Sequence, residues 1–214
     1  MARPTVLVFD LDGTLIDSAP DLAQAVNALL AALGKPPLTE AAIRPMIGDG
    51  ARLLLARALA AAGLDAPPHA FDRFMEHYLA HVADRTRPYP DVLSTLQALR
   101  VRGYAMGICT NKPFQATQRV LEAYGLAGFF GAVIGGDSLP QRKPDPEPLL
   151  AAIAGLGGTR LQAVMIGDSA NDVLCARAAA VTAILIPSDY GNPAEDADLK
   201  LTRFAELPAA LARL

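Results

Sequence analysis

The chain has 214 residues, of which 52% are hydrophobic and 19% charged, with a formal net charge of -3 and a sequence pI of about 5.6. That length holds one sizeable domain, or one domain carrying a smaller insert, and the apolar share is ample for a core. The mildly acidic balance offers no basic face to draw a nucleic-acid backbone by counterion release, so no nucleic-acid partner is expected.

Near the start, Val6-Leu7-Val8-Phe9 is a continuous apolar run that ends at Asp10-Leu11-Asp12-Gly13-Thr14. It is too short for a signal-peptide core or a membrane span, and it predicts a buried parallel strand feeding a tight turn. Residues 17–85 then read as helices over 18–33, 39–47, 51–62 and 71–83, broken at Gly34-Lys35-Pro36-Pro37, Ile47-Gly48-Asp49-Gly50 and Ala66-Pro67-Pro68. Beyond them, predicted helices over 91–102, 114–124, 147–156 and 171–179 alternate with predicted strands over 104–109, 132–135, 163–166 and 183–186. This alternation indicates an α/β fold with a doubly wound parallel sheet.

A strand–helix–strand crossover takes roughly 30 residues or more, yet Phe9 and Tyr104 are much further apart than that. Residues 17–85 are therefore expected to form an all-helical cap inserted into a core made of 1–16 and 86–214, with hinges near 15–18 and 87–90. Cys109 and Cys175, far apart in the chain with no export signal, read as reduced thiols of a cytoplasmic protein. A monomer or small homo-oligomer is expected.

In a doubly wound sheet, ligands sit beyond the carboxyl ends of the strands. Asp10, Thr110-Asn111, Lys143 and Asp168 all fall at or just after predicted strand ends, which aims them at one crevice. Asp10 and Asp12 are two residues apart, so in extended backbone both side chains point the same way, and Gly13 permits the sharp turn that follows. A hard divalent cation would relieve the repulsion between such acids and grip a phosphoryl oxygen, with Asp168 as a further ligand; Mg²⁺ suits an all-oxygen site.

The chemistry that fits these parts is phosphate monoester hydrolysis. Asp10 is the nucleophile, Asp12 the acid and then the base, and Lys143 and the Thr110 hydroxyl hold phosphoryl oxygens. Asp172, one helical turn beyond Asp168, could orient Lys143 or the metal's waters.

Asp10-Leu-Asp-Gly-Thr14, Thr110-Asn111-Lys112, Lys143-Pro-Asp-Pro146 and Gly167-Asp-Ser-Ala-Asn-Asp172 resemble, in order, the four motifs of the haloacid dehalogenase superfamily. The resemblance covers nearly the whole chain. It implies a Rossmann-like core, a helical cap after the first motif, an aspartyl-phosphate intermediate on Asp10, and Mg²⁺ held by Asp10, Asp168 and the Asp12 main-chain carbonyl. Within the superfamily the chain is most similar to bacterial phosphoglycolate phosphatases, through Asp10–Leu30, the cap stretch Ile47-Gly-Asp-Gly-Ala-Arg52, and Gly136-Asp-Ser-Leu-Pro140 ahead of Arg142-Lys143-Pro144.

That similarity implies a small phosphorylated metabolite as partner, 2-phosphoglycolate foremost. In the cap stretch, a glycine loop would bring backbone N–H groups and Arg52 towards a small carboxylate. N-acetylmuramic acid 6-phosphate, another sugar phosphate or pyrophosphate are alternative substrates. A β-phosphoglucomutase-like isomerase is disfavoured, because Leu22 stands where those relatives place a histidine. Two positions depart from the family's pattern: Ala180, where glycine is common, and Pro187-Ser-Asp-Tyr190, where a glycine-rich turn is more usual.

Overall fold

The computed structural model describes residues 4–190 and 196–214. Val6–Phe9 form β1, all four side chains buried, as an apolar run with no polar alternation requires of a strand covered on both faces. Ile16–Asp17 (β2) follow, then the helices Ala19–Ala32 (α1), Glu40–Ile43 (α2), Ala51–Ala61 (α3) and Ala70–Ala80 (α4). Arg87–Pro88 (β3) leads back through Val92–Val101 (α5) to Ala105–Cys109 (β4). The remainder alternates as Phe114–Ala123 (α6), Ala132–Ile134 (β5), Glu147–Gly155 (α7), Ala163–Gly167 (β6), Ala170–Ala178 (α8) and Thr182–Leu185 (β7), closing with Leu199–Lys200 (β8) and Leu207–Leu211 (α9).

Six strands pair in the order β5-β4-β1-β6-β7-β8, every pair parallel. The order reverses at β1, which has β4 on one side and β6 on the other. Their carboxyl ends therefore define the crevice where a ligand sits in such a sheet. Side chains alternate across β1 as strand geometry demands. Leu7 and Phe9 pack with Leu96 and Leu99 of α5 and with Leu207 and Leu211 of α9. Val6 and Val8 pack with Leu149 and Ile153 of α7 and with Ala176 of α8. Phe9 is fully buried, with ring centroids 6.1 Å from Phe130 and 6.2 Å from Phe204, so its truncation to alanine would cost about 3–5 kcal/mol. The fold is thus a Rossmann-like α/β sheet with helices on both faces.

Between β2 and β3 the chain is helical. These two short strands pair antiparallel, Ile16 with Pro88 and Asp17 with Arg87, so the helices of 19–80 leave and return through a two-stranded ribbon. The buried Asp21 carboxylate of α1 ties the two ends together, accepting from the Arg85 N–H at 2.9 Å and the Thr86 N–H at 2.8 Å. The helix expected over 39–47 is split. Pro45 lacks an N–H, so α2 gives way to a 3₁₀ turn at Arg44–Met46. Among the described residues no helix is long and apolar enough to cross a membrane.

The two departures from the family pattern have visible consequences. Ala180 sits at φ 54°, a left-handed conformation that glycine adopts without strain. The Tyr190 hydroxyl accepts from the backbone N–H groups of Ser18 (2.7 Å) and Ala19 (2.8 Å) and donates to Asp17 Oδ1 (2.7 Å), capping α1 from across the chain.

Candidate active site

Asp10 leaves β1 at its carboxyl end, its N–H still bonded to the Ile166 carbonyl at 2.8 Å, so the sheet itself fixes where the side chain starts. The turn that follows needs glycine twice over. Gly13 lies at φ 86°, and a Cβ there would fall 2.3 Å from Asp168 Oδ2. The absent side chain lets the first loop close against Asp168, which also accepts from Thr14 Oγ1 at 2.8 Å.

Asp10, Asp168 and Asp172 form one buried group, with a carboxylate oxygen from each lying within 4.8 Å of the others. Lys143 is the cation among them, its Nζ 2.9 Å from Asp10 Oδ1 and 2.6 Å from Asp172 Oδ1. The Asp10 contact is an ion pair without hydrogen-bond alignment, so Asp10 Oδ1 is buried with no hydrogen-bond donor. Asp172 also closes the capping box of α8, accepting from Ser169 N at 3.0 Å and Ser169 Oγ at 2.7 Å. It therefore orients Lys143 from a carboxylate that is itself locked.

Burial pushes the Asp10 carboxyl up to about 6, against the opposing pull of the Lys143 ammonium. Burial, together with the charges of Asp10 and Asp172, pushes Asp168 well above the usual carboxylate range. Burial alone would lower Lys143, but Asp10 and Asp172 outweigh it and hold the ammonium charged. One ammonium thus faces three carboxylates, and like charges about 4 Å apart repel by on the order of 4 kcal/mol at an effective dielectric of 20. A buried all-oxygen acid cluster with an undonated oxygen and unbalanced negative charge fits a hard divalent cation.

Asp12 belongs to a different environment. Its carboxylate accepts from Ser18 Oγ at 2.6 Å and from Lys112 Nζ at 2.9 and 3.2 Å. Lys112 Nζ in turn donates to the Tyr78 hydroxyl of α4. The Asp12 side chain is thus held by one hydroxyl and one ammonium.

A cavity of about 30 Å³ borders both Asp10 and Asp12, lined with them by Thr110, Asn111 and Lys112 from the sheet side and by Leu22, Gly48, Gly50, Ala51, Leu54 and Tyr78 from the helical side. Thr110 Oγ1 accepts from the Lys112 N–H at 3.3 Å, which leaves its own proton to give. The Asn111 side-chain amide donates to the carbonyls of Gly48 and Lys143, both at 3.0 Å, and so braces the 47–50 loop from the cavity wall.

Arg52 differs from expectation. It does not line this cavity; its exposed guanidinium lies 3.8 Å over the Phe71 ring, a stacking contact that draws it to a neighbouring cleft. Cys109 is a buried thiol pushed well above its usual range by its contact with Cys175 and by burial. Sequence reasoning gave no role to Ser18, Tyr78 or Lys112. Lys112 carried a signal, its place directly after Thr110-Asn111, whereas Tyr78 is one apolar position among many in a helical pattern.

Comparison with known proteins gives the family. A profile of the haloacid dehalogenase-like hydrolases matches residues 4–180, and the chain belongs to that family. It is a phosphatase of the family, similar over nearly its whole length to proteins named for that activity. It is 46% identical over 211 residues to a phosphoglycolate phosphatase of Caulobacter vibrioides, covering 95% of this chain and 89% of that one. A phosphoglycolate phosphatase of Rhodospirillum rubrum is 45% identical over 197 residues, covering 88% and 82%. A crystal structure described as a predicted phosphoglycolate phosphatase from Haemophilus somnus superposes with a TM-score of 0.91 at 31% identity, covering 98% of this chain and 99% of that one.

Proposed function

We propose that the protein hydrolyses 2-phosphoglycolate to glycolate and phosphate through an aspartyl-phosphate on Asp10, with Mg²⁺ as its metal, as a cytoplasmic enzyme. The observation that carries this reading is the convergence of the Asp10, Asp168 and Lys143 side chains beside the first-loop Asp12, at the strand ends and under the helices of 17–85. Those helices act as a lid on the core formed by 1–16 and 86–214. Asp10, Asp168 and the Asp12 main-chain carbonyl would hold Mg²⁺, which neutralises charge on the phosphoryl oxygens.

Asp10 attacks phosphorus through a carboxylate oxygen as the bond to the leaving oxygen breaks. Asp12, entering the step as the neutral carboxyl, gives that oxygen its proton and becomes the carboxylate. In the second half Asp12 takes a proton from water, the resulting hydroxide attacks phosphorus, and Asp10 leaves as a free carboxylate. Lys143 and the Thr110 hydroxyl balance the phosphoryl charge.

One feature favours a small acidic leaving group. The start of α3, at Gly50 and Ala51, faces the cavity without a side-chain cap, and uncapped helix N–H groups suit a carboxylate. The test is phosphate release with Mg²⁺ from 2-phosphoglycolate, N-acetylmuramic acid 6-phosphate, pyrophosphate and several sugar phosphates. A kcat/KM highest for phosphoglycolate is expected. A flat profile, or one led by a sugar phosphate, would discard that substrate.

A further inference from the structure

The buried Lys112 ammonium links the two halves of the site. Its side chain is 1% exposed, and all three of its N–H groups have acceptors within reach: both oxygens of Asp12, at 2.9 and 3.2 Å, and the Tyr78 hydroxyl. Lys112 follows β4 and belongs to the sheet, whereas Tyr78 belongs to α4, which packs on α1 within the helical insert. Tyr78 is itself fixed. It is 1% exposed, its ring stacks on Phe74 with centroids 5.8 Å apart, and the ammonium lies 5.0 Å from its ring centre.

A buried ammonium deprived of one acceptor must find another or reorient, because an unmade hydrogen bond in such a place is costly. If α4 moves off the cavity, the Tyr78 hydroxyl leaves with it. Lys112 then loses the contact that holds it at the edge of Asp12. Asp12 keeps only Ser18 as a fixed partner, through one oxygen.

We propose that Lys112 and Tyr78 are positioning residues that couple the lid to the acid/base carboxylate: Asp12 is held in its working orientation only while α4 covers the site. The coupling rests on the role proposed above for Asp12. It confines proton delivery to the closed state, where the substrate is enclosed and water is excluded. Neither residue needs to touch the substrate for this.

The experiment uses leaving groups of different basicity. A p-nitrophenolate leaves without a proton, whereas the alkoxide of phosphoglycolate needs one. Since kcat/KM reports formation of the phosphoenzyme, loss of proton delivery lowers it only for the alkyl substrate. Tyr78→Phe, which keeps the ring packing, is expected to lower kcat/KM for phosphoglycolate about tenfold and to change that for p-nitrophenyl phosphate less than about twofold. Lys112→Met is expected to show a larger loss of the same selectivity. Tyr78→Phe added to Lys112→Met should cost nothing more on the alkyl substrate, because both act through one contact.

Equal losses on both substrates, no loss on either, or additive losses in the double variant would overturn the coupling. A wild-type enzyme that hydrolyses neither substrate would instead remove the underlying phosphatase reading, and the coupling with it.

Discussion

The two acids of the Asp10-Leu11-Asp12 turn are two residues apart and occupy opposite electrostatic settings. On the side of Asp10, three buried carboxylates share one lysine, and the negative charge is unbalanced. On the side of Asp12, one carboxylate meets one lysine and one serine hydroxyl, and its charge is matched. The difference teaches how one short loop can supply both a nucleophile and a proton carrier. The excess negative charge around Asp10 is useful only with a cation present, whereas the matched charge around Asp12 needs geometry rather than a metal. The Asp10 side is held by the sheet and by Asp172 of α8, whereas the Asp12 side is completed by Tyr78 of α4 through Lys112.

Substitutions on each side should therefore fail in different ways. Asp10→Asn removes the nucleophile and is expected to lower kcat by about 10⁴-fold or more with every substrate, measured by phosphate release. Asp12→Asn should cost about 10²–10⁴-fold in kcat/KM on phosphoglycolate and far less on p-nitrophenyl phosphate. Equal losses on the two substrates would erase the distinction between the acids.

Stability should move in opposite directions. Lys112→Met leaves Asp12 without its cation and is expected to destabilise by about 3 kcal/mol, read from urea melts. Asp168→Asn without metal removes a like charge beside Asp10 and should stabilise by about 1 kcal/mol. Saturating Mg²⁺ should raise the wild-type Tm by several degrees and leave Asp168→Asn nearly unmoved. Ser18→Ala is the mildest test: it removes one hydrogen bond to Asp12, with an expected cost of about 1 kcal/mol in stability and a several-fold lower kcat/KM on alkyl phosphates only.

Much of this was legible in the sequence where chemistry and periodicity coincide. Apolar runs that end in Asp10, Thr110 or Gly167-Asp168 mark both a buried strand and the place where its carboxyl end meets the crevice. The run of helices over 19–80 was legible because the distance from Phe9 to Tyr104 is too long for one crossover. What escaped was short or long-range. The β2–β3 ribbon has two residues a side, too few for a period to show. The Tyr78–Lys112 contact joins residues 34 positions apart through tertiary packing, with no local pattern to announce it.

Arg52 illustrates the reverse. Its place in the glycine-rich stretch suggested a carboxylate ligand, but the Phe71 ring, some twenty positions on, offers its guanidinium a stacking surface outside the cavity. Asn111, by contrast, lines the cavity while its side-chain amide holds the main-chain carbonyls of Gly48 and Lys143.

The most direct test of separate roles for the two acids is to trap the phosphoryl group. Asp12→Asn, incubated with Mg²⁺ and p-nitrophenyl phosphate, should form the aspartyl-phosphate with a leaving group that needs no acid, then stall for want of a base. Rapid acid quench and peptide mass mapping should find phosphate on the peptide containing Asp10, at a level approaching one per chain, and none in Asp10→Asn. Phosphate on another residue, or turnover of Asp12→Asn with no phosphorylated enzyme at any time, would contradict the account.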